Sequence, residues 1–269
     1  MVETDISLNN LLRNRDFLFF IIGRFSNVVG VQILTVAVGW HVYQLTGDPL
    51  DLGYIGLAQF LPALFLFLIA GYVSDKYDRR IILFFCNVAH FLVVVMLMLA
   101  LLGEYDDVRV IFGILVLHGA ARAFFHTAGQ AILPNIVQTE AFPKAVAYSS
   151  SINKAAQLIG PAFGGGLIAW AGDWTYYVTL SMFALSAISS IIISARLKLE
   201  ALDKMTLSTL LGGFNFIWKN KIVLGAISID LMAVLLGGVM GLLPIYASDI
   251  CLLYTSPSPR DVEESGMPW

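Results

Sequence analysis

The chain has 269 residues, of which 58% are hydrophobic and 13% charged, with a formal net charge of -3. Soluble domains average about 45–50% apolar and about 25% charged residues, so this composition excludes an ordinary soluble domain and indicates a membrane protein. Cys86 and Cys251 are the only cysteines. Two such cysteines give neither a disulfide framework nor a metal cluster. We therefore expect no cofactor, no metal and no nucleic-acid partner.

Seven apolar stretches follow one another along the chain, each long enough for a helix to cross a bilayer, which takes about 20 residues. They are 17–45, 52–74, 81–103, 109–133, 146–171, 175–195 and 222–247. Lipid offers no hydrogen-bond partners for open backbone groups, so the spans must be helical. We predict an all-α membrane protein with a six-helix bundle over 16–195 and a seventh transmembrane helix over 222–250.

Lysine and arginine are concentrated in alternate loops, a bias that marks the cytoplasmic side of a membrane protein. One set of loops holds Arg13, Arg15, Lys76, Arg79, Arg80, Lys144, Arg196, Lys198, Lys204, Lys219 and Lys221. The other set holds Arg109 alone. We therefore predict a cytoplasmic N-terminus over 1–15 and a cytoplasmic linker over 196–221.

The last residues, 251–269, differ from everything before them. They contain two Ser-Pro steps and several acids, with no helical period, and the stretch 252–261 resembles a translated sequencing-adapter read-through. We predict a non-native tail here and a chain that lacks its second half. The alternative is a genuine disordered C-terminus.

The connection between the second and third stretches reads GYVSDKYDRR over 71–80. It resembles the signature loop of the major facilitator superfamily: Gly, three residues, Asp, three residues, then Arg and a basic residue. The resemblance implies a gating latch made by Gly71, Asp75, Arg79 and Arg80 that closes against a second bundle. We expect Gly71 to let two helices approach closely and Asp75 to pair with Arg79. The alternative is that the basic residues only set topology.

The fourth stretch carries Arg122, and an arginine at mid-span costs about 2.5–3.5 kcal/mol on insertion scales and normally faces an interior cavity. His118, Arg122 and His126 follow one another at helical spacing, so we expect one face that lines such a cavity. The resemblance implies that Arg122 takes part in proton or substrate coupling, and His118 is a further candidate. The alternatives are an arginine that caps backbone carbonyls and histidines that only pack.

The fifth stretch contains Gly160, Pro161, Gly164 and Gly165. It resembles the span-5 antiporter motif of the same superfamily, although Ala156 replaces the first glycine of that motif. We expect Pro161 to kink the helix, and Gly160 and Gly164 to form a face for tight packing. The motif implies that the element seals the cavity and serves export, whereas the alternative is plain small-residue packing.

Three more ionisable residues lie within predicted spans: Arg24, Lys154 and Asp230. Ionisable residues inside a membrane are costly and commonly mark ion pathways or proton relays. Asp230 is the only acid well inside a predicted span, which makes it the best protonation candidate. The alternative is a helix-end acid that pairs with a lysine or arginine.

Further resemblance runs through 41–47, 52–62, 149–151, 230–238 and 243–247, and points to the exporter branch that includes the bacterial enterobactin exporter. It implies the N-terminal half of a twelve-helix transporter, truncated after the seventh helix, in the bacterial inner membrane. The implied function is proton-coupled efflux of small amphipathic molecules of siderophore or drug type, and no enzyme. The implied partners are the lipid bilayer, protons, the substrate and the missing C-terminal half.

Two other hypotheses remain at this point. The first is an integral-membrane enzyme that uses His90, His118 and His126 as metal ligands, although Arg122 would repel the cation. The second is that the chain is inactive alone, because six spans and a seventh provide only one wall of a transport cavity.

Overall fold

The structure is a computed structural model that describes residues 11, 13–102, 108–194 and 218–237. Residues 1–204 and 205–269 belong to two separate compact units. Residues 196–217 of the predicted linker lie outside the described residues. The end of the predicted seventh span, from 238, and the tail over 251–269 also lie outside them.

The described residues form long helices and no strand, which confirms the all-α prediction. In chain order they are α1 Arg15–Thr46, α2 Pro49–Lys76, α3 Arg79–Leu102, α4 Val108–Ala131, α5 Phe142–Ala171, α6 Trp174–Ile192 and α7 Lys221–Gly237. A single helical turn, Leu133–Ile136, and a 3-10 turn, Thr139–Ala141, connect α4 with α5.

Five of these helices are long and apolar enough to cross a membrane: α1, α2, α3, α4 and α6. Helix α5 has 30 residues but is not among them. It begins before the predicted span because Pro143 occupies the first turn, where a missing N–H costs nothing. The helix therefore includes Lys144 as well as Lys154, and its crossing of the membrane stays a prediction.

Short polar signals separate α1 from α2. Gly47 ends α1 in the left-handed region at φ 63°, a backbone conformation that glycine adopts without strain. The carboxylate of Asp48 accepts a hydrogen bond from the Leu50 N–H at 2.8 Å and so caps the first turn of α2. These two residues fix an abrupt reversal of the chain.

Within the first unit, α1 packs against α5 and α6, α4 packs against α2 and α3, and α3 packs against α6. One buried apolar cluster, which includes Phe17, Leu83 and Ile132, lies toward the α2–α3 turn. A second cluster, which includes Leu34, Leu97 and Phe183, fills the other half of the bundle. These helix contacts and apolar clusters hold α1 to α6 together as one bundle.

Helices α2 and α4 touch backbone to backbone at Gly119. A Cβ atom added to Gly119 would overlap the carbonyl oxygen of Gln59. Only a glycine lets the two helix axes come this close, and this contact brings the cavity-facing sides of α2 and α4 together.

Hydrogen bonds join the helix ends on the side of the α2–α3 turn. The Asp16 carboxylate accepts from the Ser194 N–H at 3.0 Å, and the Asn14 amide donates to the Ile136 carbonyl at 3.0 Å. The Arg80 guanidinium donates to the Ile193 carbonyl at 2.8 Å. Residues near the starts of α1 and α3 therefore satisfy backbone groups beyond the ends of α4 and α6, which helix termini leave without partners.

Helix α7 belongs to the second unit and is described by itself. It runs over Lys221–Gly237, which agrees with the start of the predicted seventh span at 222. Asp230 lies within this helix, but its side chain is outside the described residues.

Candidate functional site

A cavity of about 610 Å³ lies between α1, α2 and α4. Its volume is within the range of small-molecule sites, about 300–1,000 Å³. The apolar part of its lining comes mainly from α2 and consists of Leu52, Ile55, Phe60, Ala63 and Phe67. The polar part comes from all three helices and consists of Gln32, Thr35, Gln59, Arg122 and His126.

Arg122 and His126 reach this cavity from successive turns of α4. The Nε2 atom of His126 lies 3.3 Å from the amide nitrogen of Gln130. The Arg122 guanidinium makes no hydrogen bond or ion pair with any described residue. The prediction that Arg122 faces an interior cavity is confirmed, and the capping alternative does not hold for it.

The expectation that His118 lines the same cavity is wrong. His118 is fully buried, and its Nδ1 atom lies 3.0 Å from Nδ1 of His90 on α3. The His90 ring stacks on Phe183 of α6, with 5.1 Å between centroids. A step of eight residues drifts by about a quarter-turn on a helix with 3.6 residues per turn, and this drift turns His118 from the cavity into the α3–α4 contact.

Several uncharged polar side chains also lie in the interior of the bundle, and none of them was predicted as a site residue. Gln32, Thr35 and Gln59 line the cavity, while Asn27 donates to the Asn87 side chain at 2.8 Å between α1 and α3. The signal was present, because amide side chains inside apolar stretches find partners on neighbouring helices. The side chains predicted to serve transport or coupling were all ionisable, so these amides and hydroxyls were not among them.

Arg24 and Lys154 lie outside the cavity lining. The Arg24 guanidinium donates to the Gly129 carbonyl of α4 at 3.2 Å, which is the carbonyl-capping role considered for Arg122. The Lys154 ammonium contacts the Gln157 side-chain oxygen at 3.4 Å and is exposed. Among the described residues, neither Arg24 nor Lys154 forms a hydrogen bond with Arg122.

The four predicted latch residues differ in the contacts that they make. Asp75 and Arg79 form the predicted ion pair at 3.5 Å, and Arg80 pairs with Asp78 at 2.7 Å. Among the described residues, a Cβ atom added to Gly71 would meet nothing within 4 Å, so its close approach to another helix stays a prediction. Helix α2 packs closely on α4 through Gly119.

The glycines of α5 divide into two faces. A Cβ added to Gly160 would lie 2.5 Å from Cβ of Gln32, and one added to Gly164 would lie 3.0 Å from Cα of Ile33. The predicted packing face is therefore confirmed, and α1 is its partner. Gly165 meets nothing within 4 Å. The helix continues through Pro161 without ending.

The three histidines of the metal-enzyme hypothesis do not converge. His90 and His118 are joined in a helix contact, whereas His126 lines the cavity. Among the described residues, no group of three or more His, Cys, Asp or Glu side chains has the geometry of a metal site. Comparison with known proteins points to another class altogether.

The profile of the family described as "Transmembrane secretion effector" matches residues 9–250, almost the whole chain. The chain belongs to this family of the major facilitator superfamily. The family is one of transporters and not of enzymes, and membership agrees with the apolar helices and with the resemblance drawn from the α2–α3 turn. A multi-pass membrane location follows.

Among known proteins, the chain is 29% identical over 237 residues to the multidrug efflux pump Tap of Mycobacterium tuberculosis, covering 82% of this chain and 55% of Tap. It is 26% identical over 159 residues to the uncharacterized MFS-type transporter YfiS of Bacillus subtilis, covering 59% of this chain and 36% of YfiS.

A third relative is the staphyloferrin A transporter of Staphylococcus aureus, 25% identical over 155 residues, covering 56% of this chain and 38% of that protein. The chain spans about half the length, or less, of the relatives it matches. The narrower likeness to the enterobactin exporter branch stays a prediction.

Proposed function

We propose that this chain forms the first bundle of a secondary active exporter of the bacterial plasma membrane. Its substrates are small amphipathic molecules of drug or siderophore type, and inward proton flow drives their release. The observation that carries the proposal is the cavity between α1, α2 and α4, with an intramembrane arginine open to it. The printed names of two relatives, a multidrug efflux pump and a staphyloferrin A transporter, support the substrate range.

Arg122 is the residue that we assign to substrate or proton coupling. A charged group inside a span is retained at a cost of about 2.5–3.5 kcal/mol, which a purely structural position would not require. His126, one turn away on the same cavity wall, is the titratable neighbour whose charge changes the field at Arg122. Asp230 of α7 remains our candidate for the acid that carries the proton.

We assign the other predicted coupling residues to positioning. Arg24 holds α1 to α4 through the Gly129 carbonyl, and His118 holds α4 to α3 through His90. Gly160 and Gly164 let α5 lie directly on α1, beside the cavity residue Gln32. In this proposal α5 seals one side of the cavity, as the span-5 motif implies, while Lys154 stays at its exposed surface.

We further propose that the N-terminus and the linker after α6 lie in the cytoplasm, and that transport requires a second bundle. The cavity is walled by three helices of one bundle, and alternating access in this class proceeds by rocking of one bundle against another. Tap is about twice as long as the region that it shares with the chain, which fits the same proposal. The chain alone is therefore expected to be inactive.

Inside-out membrane vesicles provide the test. Vesicles that contain the longer polypeptide encoded by the intact gene are expected to accumulate an amphipathic drug or a carboxylate siderophore when their lumen is acidic, and a protonophore is expected to abolish the accumulation. The Arg122→Gln variant is expected to fail, while Arg13→Gln, which removes an exposed charge outside the cavity, retains transport. Accumulation by the 269-residue chain alone, or accumulation that persists with the protonophore, would contradict the proposal.

A further inference from the structure

Among the described residues, the permanent charge that lines the cavity is positive. Arg122 and His126 line it, and no aspartate or glutamate does so among the described residues. Arg24 adds a second positive charge beside α4, because its guanidinium donates a hydrogen bond to the Gly129 carbonyl of that helix. Since charges separated by low-dielectric walls are screened far less than surface charges, the cavity carries a net positive field.

Arg122 has unused capacity for binding. Its guanidinium carries five N–H donors, and none of them donates to a described residue. A guanidinium forms two parallel hydrogen bonds with a carboxylate or a similar oxyanion, and these are among the strongest hydrogen bonds in proteins. An anionic ligand would therefore supply the hydrogen-bond acceptors that the described residues do not offer to Arg122.

The remaining walls define the rest of the ligand. Phe60 and Phe67 of α2 face the cavity together with Leu52 and Ile55. Such surfaces favour an apolar or aromatic body, and the volume of about 610 Å³ accommodates a molecule of drug size. Arg122 lies on α4 and most of the apolar lining lies on α2, so a suitable ligand has a charged end and an apolar end.

We infer that this cavity selects amphipathic organic anions, with the oxyanion against Arg122 and the apolar body against Phe60 and Phe67. The inference rests on the proposed function in taking this cavity as the site of the transported molecule, and it adds the sign of the charge. Cations of the same size and hydrophobicity are disfavoured, because Arg122 repels them and no described acid lines the cavity to offset that repulsion.

A pair of probes with one fluorophore and opposite charges tests the sign. N-dansylglycine ends in a carboxylate and N-dansylethylenediamine ends in an ammonium group. Their binding to the 269-residue chain is measured by fluorescence titration in phosphatidylcholine nanodiscs at neutral pH. A charged hydrogen bond gives roughly a 10- to 100-fold change in affinity, so we expect dansylglycine to bind at least about tenfold more tightly than its cationic counterpart.

Variants assign this preference to one side chain. Arg122→Gln is expected to remove the preference, Arg122→Lys to keep most of it, and the matched charge-loss control Arg13→Gln to leave it unchanged. Circular dichroism shows whether each variant retains its helices, and the Lys variant serves as the decisive one if the Gln variant unfolds. Equal affinities for the two probes, tighter binding of the cation, or no saturable dansylglycine binding up to about 1 mM would overturn the inference.

A second lipid composition separates a free anion from a lipid headgroup. Phosphatidylglycerol added to the nanodiscs is expected to leave dansylglycine binding within about twofold after correction for surface charge, whereas its complete loss would assign the site to anionic lipid and overturn the inference. Different outcomes test the proposed function and the anion preference. Binding of the anion without any transport by the longer polypeptide would refute efflux alone, and proton-driven efflux restricted to cations would refute the anion preference alone.

Discussion

The guanidinium of Arg79 donates a hydrogen bond to the carbonyl of Ala131, the last residue of α4, at 2.6 Å. It also donates to the Ser74 carbonyl at 3.0 Å and pairs with Asp75. The carbonyls at the C-terminal end of a helix have no partners within it and favour a cation. The arginine of the α2–α3 turn therefore binds within its own bundle, whereas Asp75 has a side chain that is 59% exposed and stays our candidate for a latch contact with a second bundle.

Replacing Arg79 is expected to destabilise the bundle itself. Arg79→Gln removes charged hydrogen bonds to two carbonyls, each of which contributes about 1.5–3 kcal/mol, so we expect a loss of at least that amount. The measurement is the free energy of unfolding in mixed micelles, followed by tryptophan fluorescence. Arg13→Gln, an exposed charge loss, is the control and is expected to change stability by less than about 0.5 kcal/mol. Equal stabilities of the two variants would show that the Arg79 contacts contribute little.

Two glycines of α5 are expected to respond to alanine in opposite directions. Gly160→Ala would bring a methyl group within 2.5 Å of Cβ of Gln32, and such overpacking costs about 1–3 kcal/mol. Gly165→Ala meets open space and gains helix propensity, so it is expected to be neutral or more stable by about 0.5–1 kcal/mol. Unfolding of both variants under the same conditions gives the comparison, and a stabilised Gly160→Ala would disprove the close contact of α5 with α1.

The buried histidine pair is expected to behave as a unit. His90→Leu or His118→Leu alone leaves the other imidazole buried without its partner, at a cost of about 1–3 kcal/mol. The double variant removes both groups, so its cost is expected to be less than the sum of the single costs. A double-mutant cycle measures this coupling. The control cycle combines His118→Leu with Ser151→Ala, an exposed change on α5, and additive costs in both cycles would exclude a functional contact between the imidazoles.

The topology is tested by cysteine labelling from one side. In a background with Cys86→Ala and Cys251→Ser, Asp48→Cys lies between α1 and α2, and Tyr77→Cys lies between α2 and α3. From the distribution of lysine and arginine, we expect a membrane-impermeant maleimide on spheroplasts to label only Asp48→Cys, and Tyr77→Cys to react only after permeabilisation. Labelling of both sites from the same side would rule out the predicted orientation.

Much of the fold was predictable because lipid imposes a simple rule on the sequence. Uncharged stretches of sufficient length must be helical, and their ends are marked by Gly47, Asp48 and the charged α2–α3 turn. The start of α5 was misplaced because Pro143 and Lys144 resemble a loop by composition, although proline is well suited to a first helical turn. Local composition does not reveal that neighbouring contacts extend the helix.

The site was predictable only in part. Arg122 was identified because an isolated charge in an apolar stretch has few explanations. His118 was misjudged, because helical spacing gives the face of a residue but not which helix packs against it. The closeness of α2 and α4 at Gly119 depends on how two distant segments meet, and no local pattern in the sequence contains that information.

The contact between Gly119 and the Gln59 carbonyl restricts how α2 and α4 can move. Two helices whose backbones touch, with no side chain between them, have no layer along which one can slide past the other. The contact therefore opposes a piston-like stroke of α2 along α4. A motion that keeps this contact moves both helices together as one rigid panel, and Arg122 moves with it.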